Sequence, residues 1–184
     1  MKYKNWTPKQ LSNALSINQE IKMPINGISI NSKLINKGNL FIPLKGKKND
    51  GHSFIEESFK KGANLSLVNK NSFNKFKLKK FKNKIILVNN ILSSLHQLAS
   101  FSRNEIKGKI LGITGSVGKT SIKESISFLL KKDNKVQFSS GNFNNLIGMP
   151  INLANFKENL DFGILELGMN KKNEIKKLSK ICRP

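Results

Sequence analysis

The sequence predicts an α/β protein in two parts, a small N-terminal α/β domain over residues 1–84 and a parallel-sheet domain over residues 85–184 whose sheet is incomplete at the carboxyl end. Three observations support this prediction. Strand-like apolar stretches alternate with stretches of helical periodicity, which is the order typical of parallel sheets. A lysine-rich segment, residues 70–84, separates the two parts. In the second part, a glycine-rich loop stands between an apolar strand and an amphipathic helix.

The N-terminal elements follow from local signals along the chain. Thr7 and Pro8 are suited to cap and start a helix, because threonine accepts from free amides and proline fits the first turn. Residues 11, 14 and 15 then supply an apolar face at helical spacing. Strands are predicted at Ile28 and Ile30 and from Leu40 to Leu44, with Lys37-Gly38-Asn39 as the turn between them. A helix capped by Ser53 is predicted next; it carries Phe54, Ile55 and Phe59 and ends at Gly62. The last predicted element of this part is a strand from Asn64 to Asn69.

The lysine-rich segment, residues 70–84, has two interpretations. It holds seven lysines, with Phe73, Phe76 and Phe81 between them. Rings beside cations are typical of surfaces that bind single-stranded nucleic acid. The alternative, which we favour, is a solvated connector that a few phenylalanines anchor to the domain.

Elements of the second part alternate regularly. The predicted strands are 85–88, 109–114, 136–139 and 162–167, and the predicted helices are 91–103, 119–132 and 173–181, with a further short helix after residue 139. Helix 119–132 is expected to bury an apolar stripe formed by Ile122, Ile126, Leu129 and Leu130.

Composition limits the class of protein. Hydrophobic residues make up 38% of the 184 residues, which allows a buried core. No apolar run reaches the roughly 18 residues of a membrane span, and Met1 leads into polar sequence without an apolar signal core. Cys182 is the single cysteine, and no cysteine or histidine cluster has zinc-site spacing. We therefore expect a cytoplasmic protein without membrane insertion or a structural metal.

The net charge of +22 raises nucleic acid as a partner, since clustered cations displace counterions from phosphates. Of the 33 basic residues, however, only Arg103 and Arg183 are arginine, the side chain suited to forked contacts with phosphate and guanine. Lysine, asparagine and isoleucine are abundant throughout, which is typical of a compositional bias. We therefore expect no nucleic-acid partner.

The glycine-rich segment from Gly112 to Ser121 has the context of a phosphate-binding loop, because it joins a strand to a helix. Glycines let the backbone approach phosphates, and the following helix directs its positive end at the anion. Lys119 is expected to neutralise the outer phosphates, and the Thr120 hydroxyl to ligate magnesium. The strict pattern requires glycine where Ile113 stands. The predicted ATP-binding residues are Gly115, Ser116, Val117, Gly118, Lys119, Thr120 and Ser121.

Glu166 interrupts the apolar strand 162–167 near its carboxyl end. An acidic residue there, close to a phosphate-binding loop, is suited to hold Mg²⁺. The alternative is an ordinary glutamate at a strand end. We favour the metal role and predict a Mg²⁺ site on Thr120 and Glu166.

Several motifs together resemble the Mur ligase family. The loop has the family's Thr-Gly-x-x-Gly-Lys-Thr form, residues 165–170 are similar to its Glu-Leu-Gly-x-Asn motif, and residues 174–175 to the Glu-Ile that follows. Residues 141–150 resemble the Gly-Asn-x-Asn-Asn-x-x-Gly-x-Pro segment of members that add D-alanyl-D-alanine. Residues 29–33, 38–46 and 50–54 are similar to the family's uridine-diphosphate-binding domain. The resemblance thus extends over nearly the whole chain.

The resemblance implies a set of substrate-binding residues. These are Asn31, Ser32, Gly46, Asp50, His52, Asn142, Asn144 and Asn145. Two of the family's usual residues are replaced, since Asn31 and Lys33 stand where aspartate and arginine are common. Contacts to the uridine diphosphate group are therefore expected to differ. Val117 replaces a frequent asparagine, which should matter less because the loop binds phosphate through backbone amides.

The activity implied by the resemblance is an ATP-dependent, cytoplasmic amide ligase of peptidoglycan precursor synthesis, with Lys119 as its catalytic cation. Its substrates would be UDP-N-acetylmuramoyl-tripeptide and D-alanyl-D-alanine. We expect a monomer, and we expect the chain to be a fragment that is inactive by itself because the resemblance stops at the middle domain. Other Mur-type ligases, such as third-residue-adding enzymes, or a folylpolyglutamate synthase stay open, as does a non-catalytic nucleotide- or nucleic-acid-binding module.

Overall fold

The computed structural model describes residues 3–46, 48–141 and 143–184. In it the chain divides into two units, which we describe separately. The N-terminal unit comprises residues 5–97, and the C-terminal unit comprises residues 98–184 with Tyr3 and Lys4. The predicted domain boundary at residue 84 stays a prediction.

The N-terminal unit contains a four-stranded parallel sheet in the order β3-β4-β5-β6 and an antiparallel pair, β1 and β2. Its core cluster lies between this sheet and the helices on it, and includes Phe41, Val68 and Leu78. The strands are β1 Asn5–Trp6, β2 Ile25–Asn26, β3 Ile28–Ser29, β4 Leu40–Phe41, β5 Leu65–Asn69 and β6 Ile85–Val88, and the helices are α1 Pro8–Leu15, α2 Ile55–Lys60 and α3 Lys70–Lys75, with 3-10 helices at Ser32–Leu34, Gly51–Phe54 and Leu78–Lys84. The next helix, α4, spans Ile91–Glu105 and has residues in both units.

The predicted start of α1 is confirmed as a reciprocal capping box. Thr7 Oγ1 accepts from the Gln10 amide at 3.2 Å, and Gln10 Oε1 accepts from the Thr7 amide at 3.0 Å. The helix buries Leu11, Ala14 and Leu15, the predicted apolar face. Local signals were sufficient here because the cap and the periodicity both lie within nine residues.

The prediction that Ser53 caps a helix is wrong. Asp50 Oδ1 accepts from the His52 amide at 3.0 Å and starts the 3-10 helix Gly51–Phe54, so that Ser53 lies inside a turn and α2 begins only at Ile55. Asp50 is the stronger acceptor because its carboxylate is charged, and it comes first along the chain.

The lysine-rich segment, residues 70–84, contains α3 and a 3-10 helix. Phe73, Phe76 and Phe81 are partly buried and pack against the core cluster, and the Phe81 ring lies 5.0 Å from that of Phe59. The prediction that these phenylalanines anchor the segment is therefore confirmed. Rings that pack inward in this way offer little free face for base stacking.

The outer edge of β6 is paired by a side chain. The amide group of Gln19 donates to the Ile85 carbonyl at 2.6 Å and accepts from the Leu87 amide at 3.1 Å. An unpaired strand edge favours pairing with other chains, so this contact protects the sheet.

The C-terminal unit contains a parallel sheet in the order β7-β9-β8, with β9 in the middle. These strands confirm the predicted alternation to within about one residue at each end. The elements are β7 Lys109–Ile113, α5 Lys119–Leu130, β8 Val136–Phe138, α6 Gly148–Asn155, β9 Phe162–Glu166 and α7 Glu174–Cys182.

The predicted buried stripe of α5 is wrong in part. Leu129 is 71% exposed and Ile122 is 49% exposed, whereas Ile126 and Leu130 are half-buried. The buried positions of the helix are Lys123 and Ser127. Periodicity located the helix but misplaced its inner face, because Lys123 is drawn inward by a charge on β9 that local sequence does not reveal.

Arg103 holds the end of α7 through its guanidinium group. Its Nε donates to the Cys182 carbonyl at 2.7 Å, and its Nη2 donates to the Arg183 carbonyl at 3.0 Å. Burial raises the pKa of the Cys182 thiol to about 11, so the thiol stays protonated and unreactive. Cys182 is a free, buried cysteine.

Among the described residues, no helix has the length and apolar character needed to cross a membrane.

Candidate functional site

The glycine-rich loop, residues 115–118, connects the end of β7 to the start of α5. Gly115 has φ of +150° and Gly118 has φ of +78°, conformations that side-chain-bearing residues rarely adopt. Gly118 precedes α5, where no side chain forms a capping hydrogen bond. The amides of the first helical turn are therefore left for an external acceptor, and an anion satisfies them best.

Lys119 folds back over this loop. Its ammonium group donates to the Gly115 carbonyl at 2.7 Å and lies 3.5 Å from the Ser116 carbonyl. The cation thus stands at the mouth of the loop, held by backbone oxygens that compete weakly with phosphate. A phosphate oxygen would form a stronger, charge-assisted hydrogen bond with the same group.

The ends of the three strands bring separate sequence motifs together. The Leu167 amide donates to the Ile113 carbonyl at 2.8 Å, so the end of β9 lies beside the entry to the glycine-rich loop. The Gly168 amide donates to the Asn144 carbonyl at 2.8 Å. A Cβ on Gly168 would lie 2.8 Å from Asn144 Cγ, so a larger residue here would displace the Asn144 side chain. Carboxyl ends of parallel strands are where α/β proteins bind ligands.

Glu166, the last residue of β9, is buried at 2% exposure. Its amide donates to Ser139 Oγ at 3.2 Å, and its Oε1 lies 2.9 Å from the ammonium of Lys123. Sequence reasoning identified Glu166 but missed Lys123. Helical spacing places Lys123 on the same face of α5 as Lys119, but it does not show that Glu166 on β9 faces it.

Two oxygen donors next to the glycine-rich loop are of the kind that magnesium accepts. Within residues 3–46, 48–141 and 143–184, no three His, Cys, Asp or Glu side chains are grouped so that they could hold a metal. Magnesium needs only one or two protein oxygens, with phosphates and water completing its shell. The carboxylate of Glu166 and the exposed hydroxyl of Thr120 supply oxygens of that kind.

Asn145 starts α6. Its Oδ1 accepts from the Ile147 amide at 3.0 Å and the Gly148 amide at 2.9 Å. A Cβ on Gly148 would lie 2.4 Å from Phe143 Cα, so the turn is tightly packed. Asn142, predicted to bind substrate, lies outside the described residues.

The substrate-binding residues predicted in the N-terminal unit follow the carboxyl ends of β3 and β4. Asn31 is exposed, and its Oδ1 accepts from the Lys33 amide at 2.9 Å. Ser32 is buried and donates to Glu57 Oε2 at 3.0 Å. Gly46 is exposed in a tight turn, where its amide donates to the Asn49 carbonyl at 2.9 Å.

His52 is buried and uses both ring nitrogens within the unit. Nδ1 lies 2.6 Å from Asp50 Oδ1, and Nε2 accepts from the Asn69 amide at 3.2 Å. Since Nε2 accepts, the proton lies on Nδ1 and is donated to Asp50. The ring also stacks on Phe76 with centroids 5.5 Å apart. His52 therefore lies between Asp50 and the end of β5, and both ring nitrogens form hydrogen bonds there.

A polar cavity of about 560 Å³ opens at the carboxyl end of β6. Sequence reasoning did not identify it, since its walls come from separate segments. Its lining includes Ser16, Gln19, Lys70, Asn89, Asn90 and Ser93.

Comparisons with known proteins agree over most of the chain. Residues 24–103 match the Mur ligase family, catalytic domain, and residues 113–184 match the Mur ligase middle domain. Over 180 residues the chain is 43% identical to the UDP-N-acetylmuramoyl-tripeptide--D-alanyl-D-alanine ligase of Rickettsia prowazekii, covering 97% of this chain and 38% of that protein. It is 37% identical over 160 residues to the ligase of that name from Bacillus subtilis, covering 87% and 34%. The chain therefore spans little more than a third of these relatives.

Solved structures with the same architecture support this similarity. A crystal structure of MurF from Acinetobacter baumannii matches all of this chain and 40% of its own length, with a TM-score of 0.86 and 26% identity. MurF ligase from Thermotoga maritima, solved in complex with ADP, matches 84% of this chain and 35% of its own, with a TM-score of 0.70 and 32% identity. The predicted α/β class with parallel sheets is thereby confirmed.

Proposed function

The chain belongs to the Mur ligase family, and we propose that it serves the ATP-dependent addition of D-alanyl-D-alanine to UDP-N-acetylmuramoyl-tripeptide in peptidoglycan precursor synthesis. In this reaction the γ-phosphoryl group of ATP passes to the terminal carboxylate of the tripeptide and gives an acyl phosphate. The amine of D-alanyl-D-alanine then attacks the acyl carbon, so that an amide bond forms and phosphate leaves.

One observation carries the proposal, namely the convergence of three motifs at the carboxyl edge of the sheet β7-β9-β8. The glycine-rich loop, Glu166 and Asn144 come from separate segments and meet at the ends of neighbouring strands. The relatives that match most of this chain are named as ligases of this substrate pair.

Each group has a separate role in the proposed nucleotide site. The amides of residues 115–118 and of the first turn of α5 cradle the phosphates, and Lys119 moves from the Gly115 carbonyl onto the outer phosphate. Phosphoryl transfer requires little covalent chemistry from the protein, so the protein catalyses it by positioning the reactants and by supplying positive charge. Thr120 and Glu166 would hold Mg²⁺, which neutralises charge on the phosphates when bound.

The N-terminal unit is proposed to receive the uridine-diphosphate part of the precursor. Asn31 and Gly46 are exposed at the carboxyl edge of the parallel sheet, where ligands of such sheets bind. Ser32, Asp50 and His52 are engaged by neighbouring groups, so we assign them to shaping this edge. A monomeric state and a cytoplasmic location are parts of the same proposal.

Calorimetric titration of ATP with Mg²⁺ tests the nucleotide site. We expect Lys119→Ala to weaken binding by roughly 10- to 100-fold, since hydrogen bonds to charged groups contribute about 1.5–3 kcal/mol. Unfolding should change little, because the side-chain hydrogen bonds of Lys119 within the described residues go to loop carbonyls.

Lys131→Ala is the matched control, since Lys131 is exposed just past the end of α5 and its removal changes the net charge equally. This variant should bind like the original chain. If the two variants lose equal affinity, the effect is one of overall charge and Lys119 does not belong to the site.

A further inference from the structure

Two opposite charges are buried together next to the proposed nucleotide site. Lys123 Nζ lies 2.9 Å from Glu166 Oε1, and the two side chains are 3% and 2% exposed. Within the described part of the chain, Oε1 has no hydrogen bond of good geometry, so the contact is an ion pair without a directed hydrogen bond. The ring of Phe138 lies 5.8 Å from the same ammonium group and adds to its shielding from water.

The pair lies within one helical turn of the phosphate-binding residues. Lys123 follows Thr120 by three positions and Lys119 by four, which places all three on one face of α5. One turn corresponds to about 5.4 Å along the helix axis. The carboxylate proposed to hold Mg²⁺ therefore already has a resident cation from the helix that carries the glycine-rich loop.

A buried carboxylate without a partner is strongly unfavourable, so Glu166 needs a counter-charge whenever it is ionised. A bound divalent cation could provide it, and so could Lys123. The two compete, because an ammonium group this close to the carboxylate repels a second cation.

We infer that Lys123 is a positioning residue that holds Glu166 and neutralises its charge in the absence of metal. Lys123 thereby keeps the affinity of the site for Mg²⁺ low when no nucleotide is bound. The inference rests on the proposed function, since it takes Glu166 as the metal-holding carboxylate. Phosphates would supply the additional negative charge that lets the cation bind beside the pair. Metal binding would thus be coupled to nucleotide binding by a residue of the chain itself.

Thermal unfolding of the purified chain, with and without millimolar Mg²⁺ and without nucleotide, tests this inference. Lys123→Met keeps most of the length of the side chain and removes its charge, so the melting temperature should fall by about 10 °C. Added Mg²⁺ should restore part of that loss, and calorimetry should show Mg²⁺ alone binding on the order of tenfold or more tightly than to the original chain. The double variant Lys123→Met, Glu166→Gln should melt above Lys123→Met and show no response to Mg²⁺.

Two further variants keep the experiment decisive. Lys123→Arg retains the charge and should resemble the original chain in melting temperature and Mg²⁺ response. Lys131→Met removes an exposed charge near the ring of Phe138 and should change neither property. A Lys123→Met variant that behaves like Lys131→Met would overturn the inference. So would one that loses stability without any recovery in Mg²⁺, since the pair would then be structural only.

Failure of the proposed function gives a different result. If the original chain does not bind ATP with Mg²⁺ in the calorimetric titration, the nucleotide site is wrong. The melting temperatures in Mg²⁺ alone would still report whether Lys123 and a metal compete for Glu166.

Discussion

At the scale of single residues, polar side chains with similar sequence signals have different roles. The ammonium group of Lys119 donates to loop carbonyls, and we propose that it moves onto a ligand. His52 has both ring nitrogens engaged within its own unit, although its motif resembles a substrate-binding one. The difference depends on which backbone groups surround each side chain in the fold.

Asp50 provides a pH-dependent contribution to stability. Burial raises the pKa of its carboxyl group, but hydrogen bonds from the His52 amide and ring and the charge of Lys45 outweigh burial, so the pKa lies below its ordinary value. Because its pKa is lower in the folded state, the carboxyl group stabilises the fold when the pH is above its ordinary pKa. This stabilisation is lost as the pH falls through the folded pKa.

We therefore expect Asp50→Asn to be less stable than the original chain near pH 7, by about 1 kcal/mol or less since the carboxylate is partly solvated. The difference should shrink as the pH falls from the ordinary carboxyl pKa through the lower folded pKa, because Asp50 then becomes protonated. Urea unfolding across this pH range measures it. Glu20→Gln removes an exposed carboxylate and serves as the control. A constant difference between Asp50→Asn and the original chain would contradict the explanation.

At the scale of elements, α5 shows how one tertiary contact decides which face of a helix is buried. Its apolar residues predict an inner face that includes Ile122 and Leu129, yet Lys123 and Ser127 occupy the buried positions. The ion pair with Glu166 brings the polar face inward, and the start of the helix stays beside β9 as a result.

Asn145 is a motif residue whose side chain accepts hydrogen bonds at the start of α6. We expect Asn145→Ala to lower the free energy of unfolding by about 1–2 kcal/mol, because two amides at the start of α6 lose their acceptor. Asn145→Asp keeps the accepting oxygen and should remain close to the original chain. Denaturant unfolding of the three proteins gives the comparison. If the alanine variant is as stable as the original, the side chain is free for another role.

At the scale of the whole molecule, charge and exposed apolar surface act on solubility in opposite directions. The net charge of +22 keeps copies of the chain apart. The outer face of α5 exposes Phe128 by 80% and Leu129 by 71%, and neighbouring apolar side chains favour association.

We expect the double substitution Phe128→Ser, Leu129→Ser to reduce the binding of a hydrophobic dye and to raise solubility. The free energy of unfolding should change by no more than about 0.5 kcal/mol, since both side chains are exposed. Leu34→Ser, at an exposed position in the N-terminal unit, is the control and should have a smaller effect. If Leu34→Ser and the double substitution have equal effects, the exposed face of α5 does not contribute more to association than other exposed apolar positions. Dye fluorescence and the concentration at which precipitation begins are the measurements.

The sequence by itself determined the order of strands and helices in the C-terminal unit, the threonine cap of α1, the glycine-rich loop and the place of Glu166 at a strand end. These features depend on residues close together in the chain, where periodicity, turn chemistry and motif spacing act directly. The family resemblance, confirmed by the comparisons, rests on the same local segments.

Only the tertiary structure decided which groups pair across segments. Lys123 forms an ion pair with Glu166, which lies 43 positions further along the chain. His52 accepts a hydrogen bond from the Asn69 amide, and Asn144 packs against Gly168. Each contact joins residues from different strands and loops, and its stability depends on burial and on the removal of competing water. A periodic pattern carries no information on such pairings, because it describes the faces of one element and not the charges that another element brings to it.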